Sequence, residues 1–251
     1  MKVKNPNWYK EIWTLDIKDL SWVEETKAQV DFVIKELKLT GDEKILDLGC
    51  GFGRHSLALA QRGFNVTGVD ITPAFISDAA ENAAKLGLNA NFICADIREL
   101  NFKNEFDVVL NMADGAIGYL ENDDENLKIF DVIATALKVG GKSFIDICNA
   151  EYAAKHFPQK TWEAGEKALS LAELDWDIDK KIMLYGSYEY KYGEVATPPR
   201  YEAAPMRLYT KEEIKNIFSQ RNMTIINTFS DVQGKPDSND DLQLMVYSQK
   251  V

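Results

Sequence analysis

The sequence predicts a doubly wound α/β fold, and three observations predict it. Short apolar runs alternate with helical patterns from residue 43 onward, glycines follow the first apolar run, and period-two alternation begins only after residue 149. Strands separated by crossover helices form a parallel sheet that is covered on both faces. The 251 residues are enough for one large domain, or for a domain that carries an insertion.

The strands of the parallel sheet are expected at five apolar runs: Lys44–Gly49, Asn65–Asp70, Asn91–Asp96, Phe106–Asn111 and Lys142–Cys148. The chain from Arg54 to Arg62 is expected to be helical. Thr72-Pro73 opens the next helix, because threonine is a good N-cap and proline suits the first helical position.

A further helix is expected between the fourth and fifth strands. Its apolar residues recur at helical spacing, and Gly140-Gly141 is expected to end it. These residues are Leu127, Phe130, Ala134 and Leu137.

The pattern changes after Asn149. Residues 168–192 alternate with period two around a turn at Asp179-Lys180, which predicts an antiparallel hairpin. Thr210–Glu213 is a capping-box pattern that begins a helix. Met223–Phe229 and Leu242–Tyr247 are expected to close the main sheet, which then has seven mostly parallel strands with helices on both faces. We therefore expect a helical cap over 1–40, the main domain over 41–150 and 207–251, and a small inserted β-rich subdomain over 151–206.

Composition excludes several classes of protein. The formal net charge of −11 argues against nucleic acid or anionic membrane as a partner, since both require clustered Lys and Arg. No apolar run approaches the ~20 residues of a membrane span, and the first residues show no signal peptide. The three cysteines lack metal-type spacing and predict reduced thiols and no metal site. We expect a cytoplasmic protein whose oligomeric state the sequence does not define.

A glycine turn follows the first strand and reads Asp47-Leu-Gly49-Cys-Gly51-Phe-Gly53-Arg54. Glycines between a strand and a helix let a ligand approach the backbone near the helix N-terminus. Asp70 ends the next strand, where an acid can bind both hydroxyls of a ribose. The turn therefore predicts a nucleotide-type ligand.

The glycine spacing distinguishes between two kinds of ligand. The dinucleotide fingerprint requires Gly or Ala where this chain has Arg54. Asp47, two residues before the first glycine, would repel a diphosphate but attract an ammonium group. S-adenosylmethionine has an ammonium group and no phosphate, so the pattern favours it over NAD(P).

These residues resemble the class I S-adenosylmethionine-dependent methyltransferases, whose fold is Rossmann-like. Ile45–His55 matches the first family motif and Val66–Asp70 the second. Ala95–Ile97 and Phe106–Asn111 match the next two. The chain further resembles a small-molecule-type subgroup with an inserted antiparallel sheet, on the segments Asn7-Trp-Tyr9, Gly118-Tyr119 and Asp146-x-x-Asn149.

The resemblance implies a role for each cofactor-binding candidate. Asp47 and the glycines would hold the methionine end, Asp70 the ribose and Asp96 the adenine amino group. Ile71 and Ile97 would enclose the ring, Asn111 and Met112 would line the methionine side, and an amphipathic N-terminal helix with Trp8 would close over it. The full candidate set is Tyr9, Trp13, Asp47, Gly49, Cys50, Gly51, Arg54, Asp70, Ile71, Asp96, Ile97, Asn111 and Met112.

Several of these residues also have a purely structural interpretation. Asp70 can cap the following helix, Asp96 can be a loop acid, and Asp47 can hold the glycine turn through its backbone. Arg54 and His55 can face solvent or brace the turn. The sequence leaves these alternatives open.

Methyl transfer from a sulfonium requires alignment and exclusion of water, and needs a base only if the acceptor must lose a proton. Tyr119, Asp146 and Asn149 are the catalytic candidates, and Asp114 also qualifies by its position after the fourth strand. Asp146 is equally interpretable as a buried hydrogen-bonding group.

The expected acceptor is a small molecule, methylated at nitrogen or oxygen. Neither the Asn/Asp-Pro-Pro-aromatic motif of nucleobase amino methylation nor a Pro-Cys nucleophile follows the fourth strand. The tyrosine-rich insertion is the expected acceptor lid. Its candidate wall residues are Trp162, Tyr188, Tyr190, Arg200, Tyr201 and Arg207. A non-catalytic protein that binds S-adenosylmethionine, and an NAD(P)-dependent oxidoreductase, remain as alternatives.

Overall fold

A computed structural model describes residues 2–195 and 202–251 of the chain. Its main sheet has seven strands in the order β10-β11-β5-β4-β1-β2-β3. Strand β11 pairs antiparallel with both of its neighbours, and the pairs from β5 to β3 are parallel. These strands are β1 (Lys44–Leu48), β2 (Asn65–Asp70), β3 (Ala90–Cys94), β4 (Phe106–Asn111), β5 (Leu137–Cys148), β10 (Met223–Phe229) and β11 (Gln243–Lys250). The predicted seven-stranded, mostly parallel sheet is confirmed.

Six α-helices surround the main sheet or connect it to the second one. They are α1 (Thr26–Leu37), α2 (Arg54–Ala60), α3 (Pro73–Leu86), α4 (Asp123–Ala136), α5 (Ala150–His156) and α6 (Lys211–Ser219). Two apolar clusters, one built around Phe130 and the other around Phe144, pack helices against the sheet. The predicted capping box of α6 is present, with Thr210 accepting from the Glu213 N–H and Glu213 accepting from the Thr210 N–H.

The order of the strands creates a switch point beside β1. The chain runs from β1 through β2 to β3 in one direction, and β4 then lies on the other side of β1. In open α/β sheets the crevice at such a point, outside the carboxyl ends of the strands, is the usual ligand site. The glycine turn after β1 and the loop after β4 meet at this crevice.

The end of α4 differs from the expectation. The helix stops at Ala136, and β5 begins at once with Leu137, so Gly140 and Gly141 lie inside a strand. The register to β4 shifts between Phe106 and Val108, and Gly140 has a φ of 78°. The glycines therefore allow an irregularity in the strand, and they do not end the helix.

The second sheet is larger than the predicted hairpin. Its four antiparallel strands are β6 (Gln159–Ala164), β7 (Ala168–Asp177), β8 (Ile182–Lys191) and β9 (Ala204–Arg207). The hairpin of β7 and β8 is confirmed. Strand β6 was not expected because its six residues alternate poorly, with Trp162 as the single large apolar side chain. We call these four strands the inserted sheet.

The N-terminal segment differs from the expected amphipathic helix. Trp8 and Tyr9 lie in a three-residue 3₁₀ turn, and two further 3₁₀ turns follow at Leu15–Asp19 and Ser21–Val23 before α1 begins. Trp8 and Tyr9 are nevertheless buried and pack with the inner face of the inserted sheet. Tertiary packing of the aromatic rings, and not helical periodicity, fixes this segment.

Candidate functional site

A cleft of about 720 Å³ opens at the carboxyl ends of β1, β2 and β4. Ten of the residues proposed from the sequence line it: Tyr9, Trp13, Gly49, Cys50, Gly51, Arg54, Asp70, Ile71, Met112 and Tyr119. These residues are far apart along the chain and come from the N-terminal segment, two strand ends and the loop after β4. The structure therefore brings most of the proposed site residues to one place.

The glycine turn forms the floor of the cleft through backbone conformations that favour glycine. Gly49, Gly51 and Gly53 have φ values of 66°, 57° and 78°. A Cβ on Gly49 would lie 2.8 Å from the carbonyl oxygen of Gly115, in the loop after β4. A side chain at residue 49 would therefore push the two loops of the cleft apart.

Asp70 holds the glycine turn to the end of β2. Its carboxylate accepts the Gly51 N–H at 2.9 Å and the Thr72 N–H at 2.8 Å. Burial raises the pKa of this carboxyl group, while the backbone N–H groups lower it. Asp70 thus bonds to the N-cap residue Thr72 and not to an N–H inside α3, and it lines the cleft beside the turn.

Asp47 lies beneath the turn and does not line the cleft. It is buried and accepts a hydrogen bond from the Ser56 hydroxyl at 2.6 Å. Burial raises its pKa to about 6. This hydrogen bond joins the end of β1 to α2 and does not involve the backbone N–H groups of the glycine turn that the structural alternative named.

Arg54 lies at the first turn of α2 and is buried. Its Nη1 donates to Thr26 Oγ1 at 2.8 Å and to Gln29 Oε1 at 2.6 Å, and its guanidinium lies 5.2 Å from the centre of the Trp22 ring. Burial lowers its pKa to about 10. Its Nη2 is buried without a hydrogen-bond partner among the described residues. An arginine that lines a cleft with one unpaired donor is suited to bind an anionic group there.

Asp96 and Ile97 lie outside the cleft lining. Asp96 accepts from Arg98 Nε at 2.9 Å and from Arg98 Nη2 at 2.6 Å, and this ion pair lowers the pKa of Asp96. Arg98 also pairs with Glu121 and Glu125. Asp96 is thus already engaged with Arg98, and the structure does not bring it into the lining with Asp70.

Asn111 is fully buried and connects the two loops of the cleft. Its Nδ2 donates to the Leu48 carbonyl at 2.9 Å and to the Gly115 carbonyl. Among the described residues its Oδ1 has no hydrogen-bond partner. Met112, the next residue, lines the cleft. Asn111 therefore positions the wall that Met112 presents.

The three catalytic candidates occupy different environments. Tyr119 lines the cleft and stacks with Trp13, with ring centres 6.2 Å apart and planes at 18°. Asp146 is buried in β5, where it accepts from the Gln243 amide and from the Ala113 N–H at 3.3 Å. Asn149 caps α5 by accepting the Glu151 N–H at 2.9 Å. Only Tyr119 of the three lies in the cleft lining.

Several residues of the cleft were not proposed as ligand-binding from the sequence. They are Ile17, Trp22, Phe52, His55, Thr72, Phe75, Ala113, Gly115 and Ala116. His55 is the last residue of the first motif and Thr72 comes two residues after the second, so proximity to the motifs is a usable signal. Ile17 and Trp22 reach the cleft only because of how the N-terminal segment folds, and no local pattern indicates this.

The wall residues expected from the insertion lie mainly elsewhere. Trp162 is 71% exposed. It pairs with Leu171 of β7, and Leu171 pairs with Tyr188 of β8. These three residues share the outer face of the inserted sheet, opposite the face that carries the buried Leu174. Tyr190 shares that outer face. Arg207 forms an ion pair with Glu213. Arg200 and Tyr201 lie outside the described residues.

The inner face of the inserted sheet carries a different tyrosine. Tyr185 pairs with Leu174 and packs with the cluster around Trp8. The period-two pattern correctly predicts strands β7 and β8, but it does not reveal which face of the sheet meets the rest of the protein.

Within residues 2–195 and 202–251, no group of three or more His, Cys, Asp or Glu side chains could hold a metal ion. In the same ranges, none of the helices has the length and apolar character that crossing a membrane requires.

Part of the chain is similar to known methyltransferases. Residues 45–141 match the family model described as a methyltransferase domain. A putative methyltransferase, YqeM, of Bacillus subtilis (strain 168) is 30% identical over 136 residues, which are 54% of each chain. A ubiquinone biosynthesis O-methyltransferase of Coxiella burnetii is 32% identical over 128 residues, 51% of this chain and 52% of the relative. The chain thus spans about half the length of the curated relatives it matches.

Solved structures extend the similarity to almost the entire chain. An S-adenosylmethionine-dependent methyltransferase from Clostridium acetobutylicum ATCC 824 superposes with a TM-score of 0.77 at 20% identity. The superposition covers 94% of this chain and 96% of that one. Residues 45–141 are therefore similar to a methyltransferase domain, and almost the entire chain shares the fold of this S-adenosylmethionine-dependent methyltransferase.

Proposed function

We propose that the chain binds S-adenosylmethionine in the cleft and transfers its methyl group to a nitrogen or oxygen atom of a small molecule. The observation that carries the proposal is that Arg54, whose buried Nη2 has no partner among the described residues, lines the same cleft as Asp70 and the glycine turn. An amino-acid carboxylate and a ribose are the two polar parts of this cofactor that need such partners.

The charges around the cleft favour this cofactor over a dinucleotide. The carboxylates of Asp47 and Asp70 lie under and beside the glycine turn, where a dinucleotide would place its diphosphate. Placing phosphates against buried carboxylates is unfavourable, because like charges repel strongly where water is excluded. Arg54 would instead bind the cofactor carboxylate, and the acidic surroundings would favour its ammonium and sulfonium groups.

When bound, the cofactor supplies a methyl group on a positively charged sulfur. The residues of this chain need to align the reacting atoms and exclude water. Trp13 and Tyr119 stack over one side of the cleft, and Trp8 packs against Tyr119 with ring centres 5.0 Å apart. These rings would exclude water from the methyl group. We place the acceptor between them and the inner face of the inserted sheet.

The test is calorimetric titration of the protein with S-adenosylmethionine, S-adenosylhomocysteine and NAD⁺. We expect both sulfur-containing ligands to bind and NAD⁺ to show no binding. Asp70→Asn should weaken the binding of both by about 10- to 100-fold, because a lost charge-assisted hydrogen bond costs roughly 1.5–3 kcal/mol. The exposed Asp124→Asn is the matched control and should bind as the wild type does. Binding of NAD⁺ alone would overturn the proposal.

A further inference from the structure

We propose that the acceptor is a small amine that binds as an ammonium ion beside Asp114, and that the Asp114 carboxylate accepts its proton. This inference rests on the proposed methyl transfer and specifies its acceptor. Asp114 lies in the 113–116 loop that follows β4, and it is adjacent in sequence to residues of the cleft lining without lining the cleft itself. The neighbouring residues Ala113, Gly115 and Ala116 line the cleft.

The fold holds Asp114 in a defined position. Its N–H donates to the Asp146 carbonyl at 2.8 Å, and its Oδ1 accepts the Cys148 N–H at 3.0 Å. Within residues 2–195 and 202–251, its Oδ2 has only the weak donor Cys148 Sγ, at 3.7 Å. Oδ2 therefore retains the capacity to accept a stronger hydrogen bond from a ligand.

The charge of this carboxylate acts on two tyrosines. Tyr119 belongs to the same loop region and stacks with Trp13, and Tyr185 comes from the inner face of the inserted sheet. Burial raises the pKa of both tyrosines, and the charge of Asp114 raises them further. The carboxylate thus lies close to both hydroxyl groups. A carboxylate beside aromatic rings favours an organic cation over a neutral hydroxyl compound, because the ring faces also attract positive charge.

The balance of buried charge points the same way. Asp47, Asp70 and Asp146 lie at or near the ends of β1, β2 and β5, and Asp114 follows β4. Among the described residues, Arg54 is the one cation in the cleft lining. Buried carboxylates are unfavourable unless a cation accompanies them. A bound ammonium ion would reduce this cost, whereas an alcohol would leave it unchanged.

The proposed step balances as follows. One N–H bond of the ammonium ion breaks and its proton moves to Asp114, which leaves a lone pair on the nitrogen. The nitrogen then bonds to the methyl carbon while the carbon–sulfur bond breaks, and that electron pair stays on sulfur. The sulfur leaves neutral, the product is a methylated ammonium ion, and Asp114 releases its proton to water. Burial and the nearby Asp146 raise the pKa of Asp114 to about 7, which suits a proton acceptor near neutral pH.

The test compares two probes of the same shape, benzylammonium and benzyl alcohol, on protein saturated with S-adenosylhomocysteine. We expect benzylammonium to bind at least about 10-fold more tightly, with the preference lost in Asp114→Asn. Asp124→Asn is again the control and should retain the preference. Equal binding of the two probes by the wild type, or an unchanged preference in Asp114→Asn, would overturn the inference.

Two further measurements distinguish failure of this inference from failure of the proposed function. S-adenosylhomocysteine should bind Asp114→Asn as tightly as it binds the wild type. If S-adenosylhomocysteine binds neither the wild type nor Asp114→Asn, the proposed function itself is overturned. Benzylammonium binding to the wild type should strengthen as pH rises through about 7, where Asp114 loses its proton. Asp146 and Cys148 from β5, with Tyr119 and Tyr185, face the same carboxylate. A transition near pH 7 that persists in Asp114→Asn would belong to one of these groups and would contradict the assignment.

Discussion

The two sides of the cleft are built in different ways. On the main-sheet side, buried polar contacts join the loops: Asp70 accepts the Gly51 N–H, and Asn111 donates to the Leu48 carbonyl. On the other side, the inserted sheet meets the N-terminal segment through a buried aromatic cluster and through exposed ion pairs such as Lys167–Asp19. Buried hydrogen bonds fix a geometry, whereas exposed ion pairs contribute little. Buried hydrogen bonds therefore fix the geometry of the main-sheet side, which we propose to bind the cofactor and call the cofactor side. The other side, which we propose to bind the acceptor and call the acceptor side, is the one that can vary.

The largest expected effect on ligand affinity comes from a substitution in the glycine turn of the cofactor side. Gly49→Ala should reduce S-adenosylmethionine affinity by about 100-fold, because its Cβ would overlap the Gly115 backbone and displace a turn that tolerates little strain. Gly87→Ala is the matched control. Gly87 has nearly the same φ, 63° against 66°, but no atom of the described residues lies within 4 Å of the added Cβ. Calorimetry on both variants measures the difference, and equal affinities would show that the loop contact does not shape the cleft.

The next effect tests which end of the ligand meets Arg54. Arg54→Met should weaken S-adenosylmethionine binding by about 10- to 100-fold through loss of a charged hydrogen bond. It should leave binding of 5′-methylthioadenosine, which has no carboxylate, nearly unchanged. Arg62→Met, which removes an exposed pair with Asp31, is the control for charge. Equal losses for both ligands would mean that Arg54 acts only by bracing Gln29 and Thr26.

A smaller effect concerns stability on the acceptor side. The folded-state pKa of Asp114 is about 7 against an ordinary 3.8, so the folded state binds a proton that the unfolded chain releases between about pH 4 and pH 7. Stability of the ligand-free wild type should therefore fall as pH rises through this window. At pH 8 the free energy of unfolding of Asp114→Asn should exceed that of the wild type by about 1–2 kcal/mol. This is less than the full pKa shift implies, because the residue is partly exposed. Near pH 4 the variant should be no more stable than the wild type.

Urea unfolding at the two pH values measures this prediction. A gain at pH 8 would show that Asp114 is retained at a cost to stability, as expected of a functional group. An Asp114→Asn protein that is less stable than the wild type at pH 8 would show that the carboxylate is structural.

The smallest effect is expected where the inserted sheet meets the N-terminal segment. Lys191→Ala removes ion pairs to Asp16 and Asp19 and should leave Tm unchanged within error, because these pairs are exposed. Thr210→Ala, which removes the capping box of α6, should cost about 1 kcal/mol and serves as the comparison. A larger effect from Lys191→Ala than from Thr210→Ala would mean that ion pairs, and not aromatic packing, hold the two parts together.

The same contrast explains how much of the molecule could be predicted from sequence. The strands and the glycine turn follow from local patterns, and the proposed residues Gly49, Gly51, Arg54 and Asp70 do line one cleft. The partnership of Asp96 with Arg98 was not predictable, because it depends on a side chain turning back from a 3₁₀ turn.

The acceptor side was harder to predict for a physical reason. Period-two alternation identifies β7 and β8, but it assigns no face to the core until the partner surface is known. The sequence therefore predicts Tyr188 and Tyr190 as wall residues of the site, whereas Tyr185 is the tyrosine that lies on the inner face. Ile17 and Trp22 reach the cleft through irregular 3₁₀ turns, whose course depends on tertiary contacts.

The most direct test of the division into two sides is a crystal structure of the protein with S-adenosylhomocysteine. We predict the ligand carboxylate at Arg54 Nη2, the ribose hydroxyls at Asp70, and the sulfur directed toward Tyr119 and the inner face of the inserted sheet. A ligand whose carboxylate lies away from Arg54, or whose sulfur points away from the inserted sheet, would contradict the account.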